Sequence, residues 1–281
     1  MRAAAAILVS LLLGTAASGQ APPDLSKQDP WKQEPWKTCL TRSDAAIGAC
    51  TTIIEGKGEK PRNLAHAYTA RGETYHRQGK IGHALQDFDE GLRLDPRQPE
   101  GYVSRGVLEM DNLGQDDGAL RDFNHALSLR PSFTRALVLR SRLFYKKGDF
   151  ARSLQDAEAV LRIDPQSPRG HTRRCLGRLA IDELEAAIAD CTEALRLWPT
   201  FIPALNGRGS AYLKLGRPEH AAVDFEEAIR IRPKAPVALF GRGVSRKKLG
   251  DREGGDADIA LAKQLLPDVE ERFRHPWQLD Q

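Results

Sequence analysis

Residues Ile202 to Pro233 read IPALNGRGSAYLKLGRPEHAAVDFEEAIRIRP. Ala204, Gly209 and Tyr212 recur at helical spacing up to a break at Gly216. Beyond it Ala221 and Phe225 stand four residues apart, one above the other on a second helix, and Ala228 extends their face before Pro233 ends the segment. The stretch therefore predicts a helical hairpin. Small residues let the two backbones approach, and the larger ones fill the space toward a neighbouring hairpin.

The same layout extends in both directions. Prolines close helical segments at Pro96, Pro131, Pro165, Pro199, Pro233 and Pro267, with gaps of 35, 34, 34, 34 and 34 residues. Breaks occur at Gly79, Gly114, Gly148, Gly216 and Gly250, and the four-apart pair returns as Ala84 with Phe88 and Ala119 with Phe123. A fixed period of this length marks a stack of hairpins, each too small to bury its apolar face alone. Ala, Leu, Arg and Glu dominate while alternating Val, Ile and Thr runs are nearly absent, which excludes an all-β chain. The mean hydropathy of −0.48 suits an extended fold with much exposed surface.

Counted from Ile202, the residues Gly209, Tyr212, Ala221, Phe225, Ala228 and Pro233 take the eighth, eleventh, twentieth, twenty-fourth, twenty-seventh and thirty-second places of the unit. On these residues the chain resembles the tetratricopeptide repeat family. The resemblance implies an all-α fold, a right-handed α-solenoid of helical hairpins, with six repeats at about 65–98, 99–133, 134–167, 168–201, 202–235 and 236–267. The second repeat carries one extra residue between Gly106 and Gly114; the fourth has Cys175 and Arg178 where Gly and Tyr are usual, and the sixth has Arg246 and Gly255. A degenerate hairpin and link, residues 39–64, precede the array, and a capping tail, 268–281, follows it. The early Cys pair and the Gly-Gly-Asp-Ala-Asp run ending at Asp258 resemble exported repeat proteins of alphaproteobacteria.

The N-terminus adds a compartment. Arg2 precedes an uncharged stretch, Ala3 to Ala17, and the small residues Ala17-Ser18-Gly19 follow, so 1–20 reads as a signal peptide, with an uncleaved anchor as the alternative. Its removal leaves a chain with no membrane span, periplasmic or secreted. Residues 21–38 form an arm rich in Pro, Gln and Lys whose Trp31 and Trp36 are placed to cover the first helix. Four cysteines in an exported chain predict disulfides. In a hairpin turning near the sixteenth place, the eighth and twenty-fourth places face each other, which pairs Cys175 with Cys191; Cys39 and Cys50 flank a break in the same manner. The alternatives are four reduced, buried thiols and, further off, a zinc site without Cys-x-x-Cys spacing.

Two charged rows run through all six units. Arg71, Arg105, Arg140, Arg174, Arg208 and Arg242 hold the seventh place, and Asp87, Asp122, Asp156, Asp190, Asp224 and Asp258 the twenty-third. Their repetition suits a structural ladder of guanidinium forks on carboxylates, worth about 0.2–1 kcal/mol per exposed pair.

The net charge of +4 is too mild, and its signs too interleaved, for a nucleic-acid partner. Seven scattered histidines offer no metal motif, and Gly207-Arg208-Gly209 and Gly241-Arg242-Gly243 lie within helices with no strand before them. With no nucleophile elbow, phosphate loop or catalytic carboxylate pair in a suitable context, the expectation is no enzyme and no cofactor.

The family resemblance implies instead a protein-interaction scaffold whose concave groove, lined by first helices, holds a peptide segment or partner protein. The alternative is a subunit or adaptor of an envelope assembly or cell-wall remodelling complex. Candidate groove residues are Arg135, Val138, Arg142, Tyr145, Lys146, Arg169, Asn206, Lys214, Phe240, Lys247 and Lys248. Arg135, Arg142 and Lys146 around Tyr145 and Val138 predict a cationic patch with a contact aromatic, suited to an acidic or carboxylate-ended segment.

Overall fold

The computed structural model describes residues 31, 34–41 and 43–274. The signal-peptide expectation for 1–20, the arm segments 21–30 and 32–33, and the last seven residues of the tail lie outside them. A short hairpin comes first, α1 (Trp36–Cys39) with α2 (Ala46–Glu55). Six hairpins follow: α3 (Pro61–Arg77) with α4 (Ile81–Leu94), α5 (Pro99–Leu108) with α6 (Asp116–Leu129), and α7 (Thr134–Lys146) with α8 (Phe150–Ile163). Then come α9 (Pro168–Ala180) with α10 (Leu184–Leu197), α11 (Ile202–Lys214) with α12 (Pro218–Ile231), and α13 (Pro236–Lys248) with α14 (Arg252–Leu265), before α15 (Val269–Arg274).

Local chemistry sets these boundaries. Proline stands in the first turn of α3, α5, α9, α11, α12 and α13, where its missing N–H costs nothing. The hairpin turns need a left-handed residue, supplied by Gly79, Gly114, Gly148, Gly216 and Gly250. The fourth repeat has no glycine at its break, and Asp182 takes that conformation instead, with φ of 60°. The extra residue of the second repeat appears as a π-helical turn, Glu109–Leu113, at the end of α5. A one-residue insertion is absorbed in this way without losing the register of the helix on either side.

Each helix packs on the next, and the first helices of neighbouring hairpins also touch, α3 with α5, α5 with α7, α7 with α9, α9 with α11 and α11 with α13. Among the described residues no pair of second helices packs comparably, so the α-solenoid bends toward its first helices, which form the inner wall. Between the layers the small and large residues interlock. Ala84, Ala119, Ala221, Phe88, Phe123 and Phe225 are fully buried. A Cβ on Gly209 would lie 2.8 Å from the ring of Phe225, and one on Gly241 in the next repeat closer still, so the ring is seated between two glycines.

Both ends are covered. Val269 is buried and Phe273 of α15 meets Phe225 and Phe240 at 5.9 and 5.2 Å between ring centroids. At the other end Trp36 is buried and donates its indole N–H to Glu59, while Trp31 packs edge-on against both Trp36 and His66. Cys39 is bonded to Cys50 and Cys175 to Cys191, with Cα separations of 4.7 and 5.5 Å. Among the described residues no helix is long and apolar enough to cross a membrane.

Candidate functional site

The two charged rows meet inside each hairpin. Nε and Nη2 of Arg71 donate to the two oxygens of Asp87, each at 2.8 Å, and the same fork joins Arg105 to Asp122, Arg140 to Asp156, Arg174 to Asp190, Arg208 to Asp224 and Arg242 to Asp258. The six carboxylates are buried. The value expected for exposed pairs therefore understates them: truncating the arginine leaves a carboxylate away from water, a far larger loss than a surface bridge.

The third nitrogen has a second task. Nη1 of Arg71, Arg105, Arg140 and Arg208 reaches back to the preceding hairpin, to Thr51, Asp89, Asn124 and Thr192. Each of these arginines thus joins three helices. Asp190 and Asp258 instead receive a second guanidinium from their own repeat, Arg178 at 2.8 Å and Arg246 at 3.0 Å.

The inner wall differs from the cationic patch expected of it. Arg142 forks onto Asp111, Lys146 donates to Asp116 at 2.7 Å, and Arg135 reaches Glu73 at 3.5 Å. Lys214 meets Asp182, and Lys247 meets Asp256. These charges are neutralised by acidic residues of the solenoid itself. Tyr145 is 1% exposed and packs on Phe150, so its ring belongs to the core; burial pushes its phenol pKa up. Phe240 and Asn206 are also buried, and Val138 is half-buried against the core of the second and third repeats. Lys248 is exposed, as is Arg169, whose guanidinium lies 5.7 Å from the ring of Trp198.

Arg173 is a wall residue outside the expected set. It is 5% exposed on α9, and burial, with repulsion from Arg142 second, lowers its pKa to about 10. Its only trace in the sequence is the Arg173-Arg174 doublet, of which Arg174 alone falls on a periodic row.

Polar groups on the N-terminal part of the wall satisfy one another within and between repeats. Gln98 bridges Thr69 and His66, Ser104 donates to Glu73 at 2.6 Å, and His76 pairs with Asn112. Further along, Tyr145 Oη, Asn206 Oδ1 and Ser210 Oγ are buried with no hydrogen-bond partner among the described residues. Native structures leave few such atoms, and these three lie on α7 and α11 of one inner wall. Among the described residues no cluster of His, Cys, Asp and Glu has the make-up of a metal site.

Comparison with known proteins places this geometry. Residues 65–98, 111–168 and 202–235 match models of the tetratricopeptide repeat. A relative from Cryptococcus neoformans, the tetratricopeptide repeat and J domain-containing co-chaperone DNJ1, is 29% identical over 32% of this chain and 17% of its own length. The chain thus spans about a sixth of that relative. A tetratricopeptide repeat protein from Parabacteroides merdae superposes with a TM-score of 0.66 at 19% identity, covering 83% of this chain and 91% of that one. The Cut9-Hcn1 hetero-tetramer of the APC/C gives 0.75 at 13% identity, covering 90% of this chain and 51% of that one. At these identities the structural likeness is one of fold. Together with the repeat matches, it shows a chain built on tetratricopeptide repeats.

Proposed function

We propose that the chain is an exported, non-enzymatic scaffold that holds a peptide segment of a partner protein along its inner wall. The unpartnered atoms Tyr145 Oη, Asn206 Oδ1 and Ser210 Oγ carry this reading, because they offer donors and acceptors that an incoming segment can satisfy. The two disulfides support an oxidising compartment. The partner's character follows these groups rather than a bare cationic patch, since Arg142 and Lys146 are already engaged.

The test is a pull-down from the envelope fraction after mild crosslinking, with the intact chain and with Asn206→Ala plus Ser210→Ala. Removing orphaned polar atoms costs the fold little, so the double variant should melt within a few degrees of the parent while capturing about tenfold less partner. Full capture by the double variant would remove this part of the wall from the interface.

A further inference from the structure

Trp198 is 38% exposed, yet three contacts hold its ring. It stacks parallel on Phe201 with centroids 4.5 Å apart, donates Nε1–H to Thr200 Oγ1 at 3.1 Å, and has the Arg169 guanidinium 5.7 Å from its centroid. An exposed aromatic fixed in this way offers contact area that needs little further ordering on binding. The charge beside it is not neutralised. Of the cations expected in the groove, Arg135, Arg142, Lys146, Lys214 and Lys247 meet acidic residues of the solenoid. Among the described residues Arg169 has no carboxylate partner, and its contact is the indole. Lys248 has none either, but it closes α13, where a cation complements the negative end of the helix.

The second repeat shows the same corner closed. Arg130 precedes Pro131 as Trp198 precedes Pro199, Glu100 follows Pro99 as Arg169 follows Pro168, and Arg130 and Glu100 form an ion pair at 2.8 Å. In the fourth repeat a tryptophan replaces the arginine and an arginine the glutamate, so the corner keeps a cation and lacks an anion. It also leads into the unpartnered polar atoms. Phe201 caps the start of α11, and Asn206 and Ser210 follow on that helix, about 7.5 and 13.5 Å further along the axis at 1.5 Å per residue. Four residues of extended chain at ~3.3 Å each cover that distance. The helix that carries Arg169, α9, packs on both α10 and α11, which keeps the two parts of the surface in one body.

We infer that this corner is the subsite by which the groove selects its partner: Arg169 takes an acidic side chain of the bound segment, the Trp198 and Phe201 stack takes the large apolar side chain next to it, and Asn206 and Ser210 take the main chain that follows. The inference rests on the inner wall as binding surface and adds the side-chain pair that a partner must carry. The carboxylate fixes the register of the segment on the guanidinium, and the ring supplies most of the lasting affinity. A segment with lysine at that point brings like charges together and is rejected.

The experiment selects a phage-displayed library of random twelve-residue peptides on the intact chain with its disulfides formed, each peptide flanked on both sides so that no free carboxyl terminus is presented. Enrichment of Asp or Glu next to Phe, Tyr, Trp or Leu is expected. The same selection on Arg169→Glu should replace the acid with Lys or Arg, and Trp198→Ala should weaken the parent's selected peptides at least tenfold. Both side chains are exposed, so the two variants should melt within a few degrees of the parent. Enriched peptides without an acidic residue, an unchanged motif on Arg169→Glu, or full affinity for Trp198→Ala would overturn the inference. If such peptides still lose binding to Asn206→Ala plus Ser210→Ala, the groove reading stands without this subsite. Peptides that need Arg169 and Trp198 but bind that double variant unchanged keep the acid and ring recognition and defeat the groove reading. No enriched peptide at all would overturn both.

Discussion

The fourth and fifth repeats solve one packing problem in different ways. In the fifth, the eighth and twenty-fourth places hold Gly209 and Phe225, and the ring fills the space that the missing side chain leaves. In the fourth the same places hold Cys175 and Cys191, two small residues joined by a covalent bond, and Arg178 stands where the fifth has Tyr212. Among the described residues Asp224 accepts from one guanidinium, that of Arg208, whereas Asp190 accepts from two, Arg174 and Arg178. One hairpin is closed by apolar volume and the other by a crosslink and a doubled ion pair. A position in a repeat thus specifies a space to be filled and a charge to be met, and leaves the chemistry open.

The largest test of this contrast is Phe225→Ala. It empties the seat between Gly209 and Gly241, and should cost about 3–5 kcal/mol in denaturant unfolding. Breaking the fourth repeat's bond, as Cys175→Ala with Cys191→Ala, should cost about 3 kcal/mol, since the closed loop spans a separation of 16 residues. An equal double-alanine loss in reducing and oxidising buffer would show that the bond contributes nothing beyond its volume.

A finer test compares the ladders. Arg208→Ala leaves the buried Asp224 without its guanidinium and should cost about 2–3 kcal/mol, somewhat below a fully buried pair because the arginine edge meets solvent. Arg174→Ala should cost about half as much, because Arg178 still holds Asp190. Equal losses would mean that the second arginine does not share the load.

The smallest effect lies in the second repeat, where Glu109 occupies the same eleventh place. One of its oxygens is buried without a hydrogen-bond partner among the described residues, and burial, with Asp122 nearby, raises its pKa. A carboxyl whose folded pKa lies above its unfolded value destabilises the fold only while ionised. Glu109→Gln should therefore stabilise by less than about 1 kcal/mol at pH 7. That gain should shrink as pH falls through the raised pKa toward the ordinary carboxylate value near 4.3. A gain that persists unchanged at pH 4 would assign it to packing instead.

The repeat layout was legible because it is set by short-range rules: prolines that stop helices, residues that turn left-handed, and small residues where backbones touch. The Arg and Asp rows and the cysteine pairs were visible for the same reason, each lying across one hairpin. The groove was less legible. Asp111 and Asp116, which hold Arg142 and Lys146, lie in and just after the π-helical turn of the second repeat, where the inserted residue disturbs the count. Tyr145 stands at a place counted as facing the groove, yet it is buried beside Phe150; that depends on how neighbouring repeats close around it.

The backward reach of the ladder arginines has a mechanical consequence. Arg71, Arg105 and Arg140 tie the N-terminal hairpin and the first three repeats into one block, and Arg208 ties the fourth repeat to the fifth. Arg174 and Arg242 spend their hydrogen bonds within their own hairpins. The joints before the fourth and sixth repeats therefore lack this rivet. Stretched from its ends, the solenoid would part at those two seams first and yield in segments of unequal length, so that a force trace would show steps set by the pattern of ties and not by the even period of the sequence.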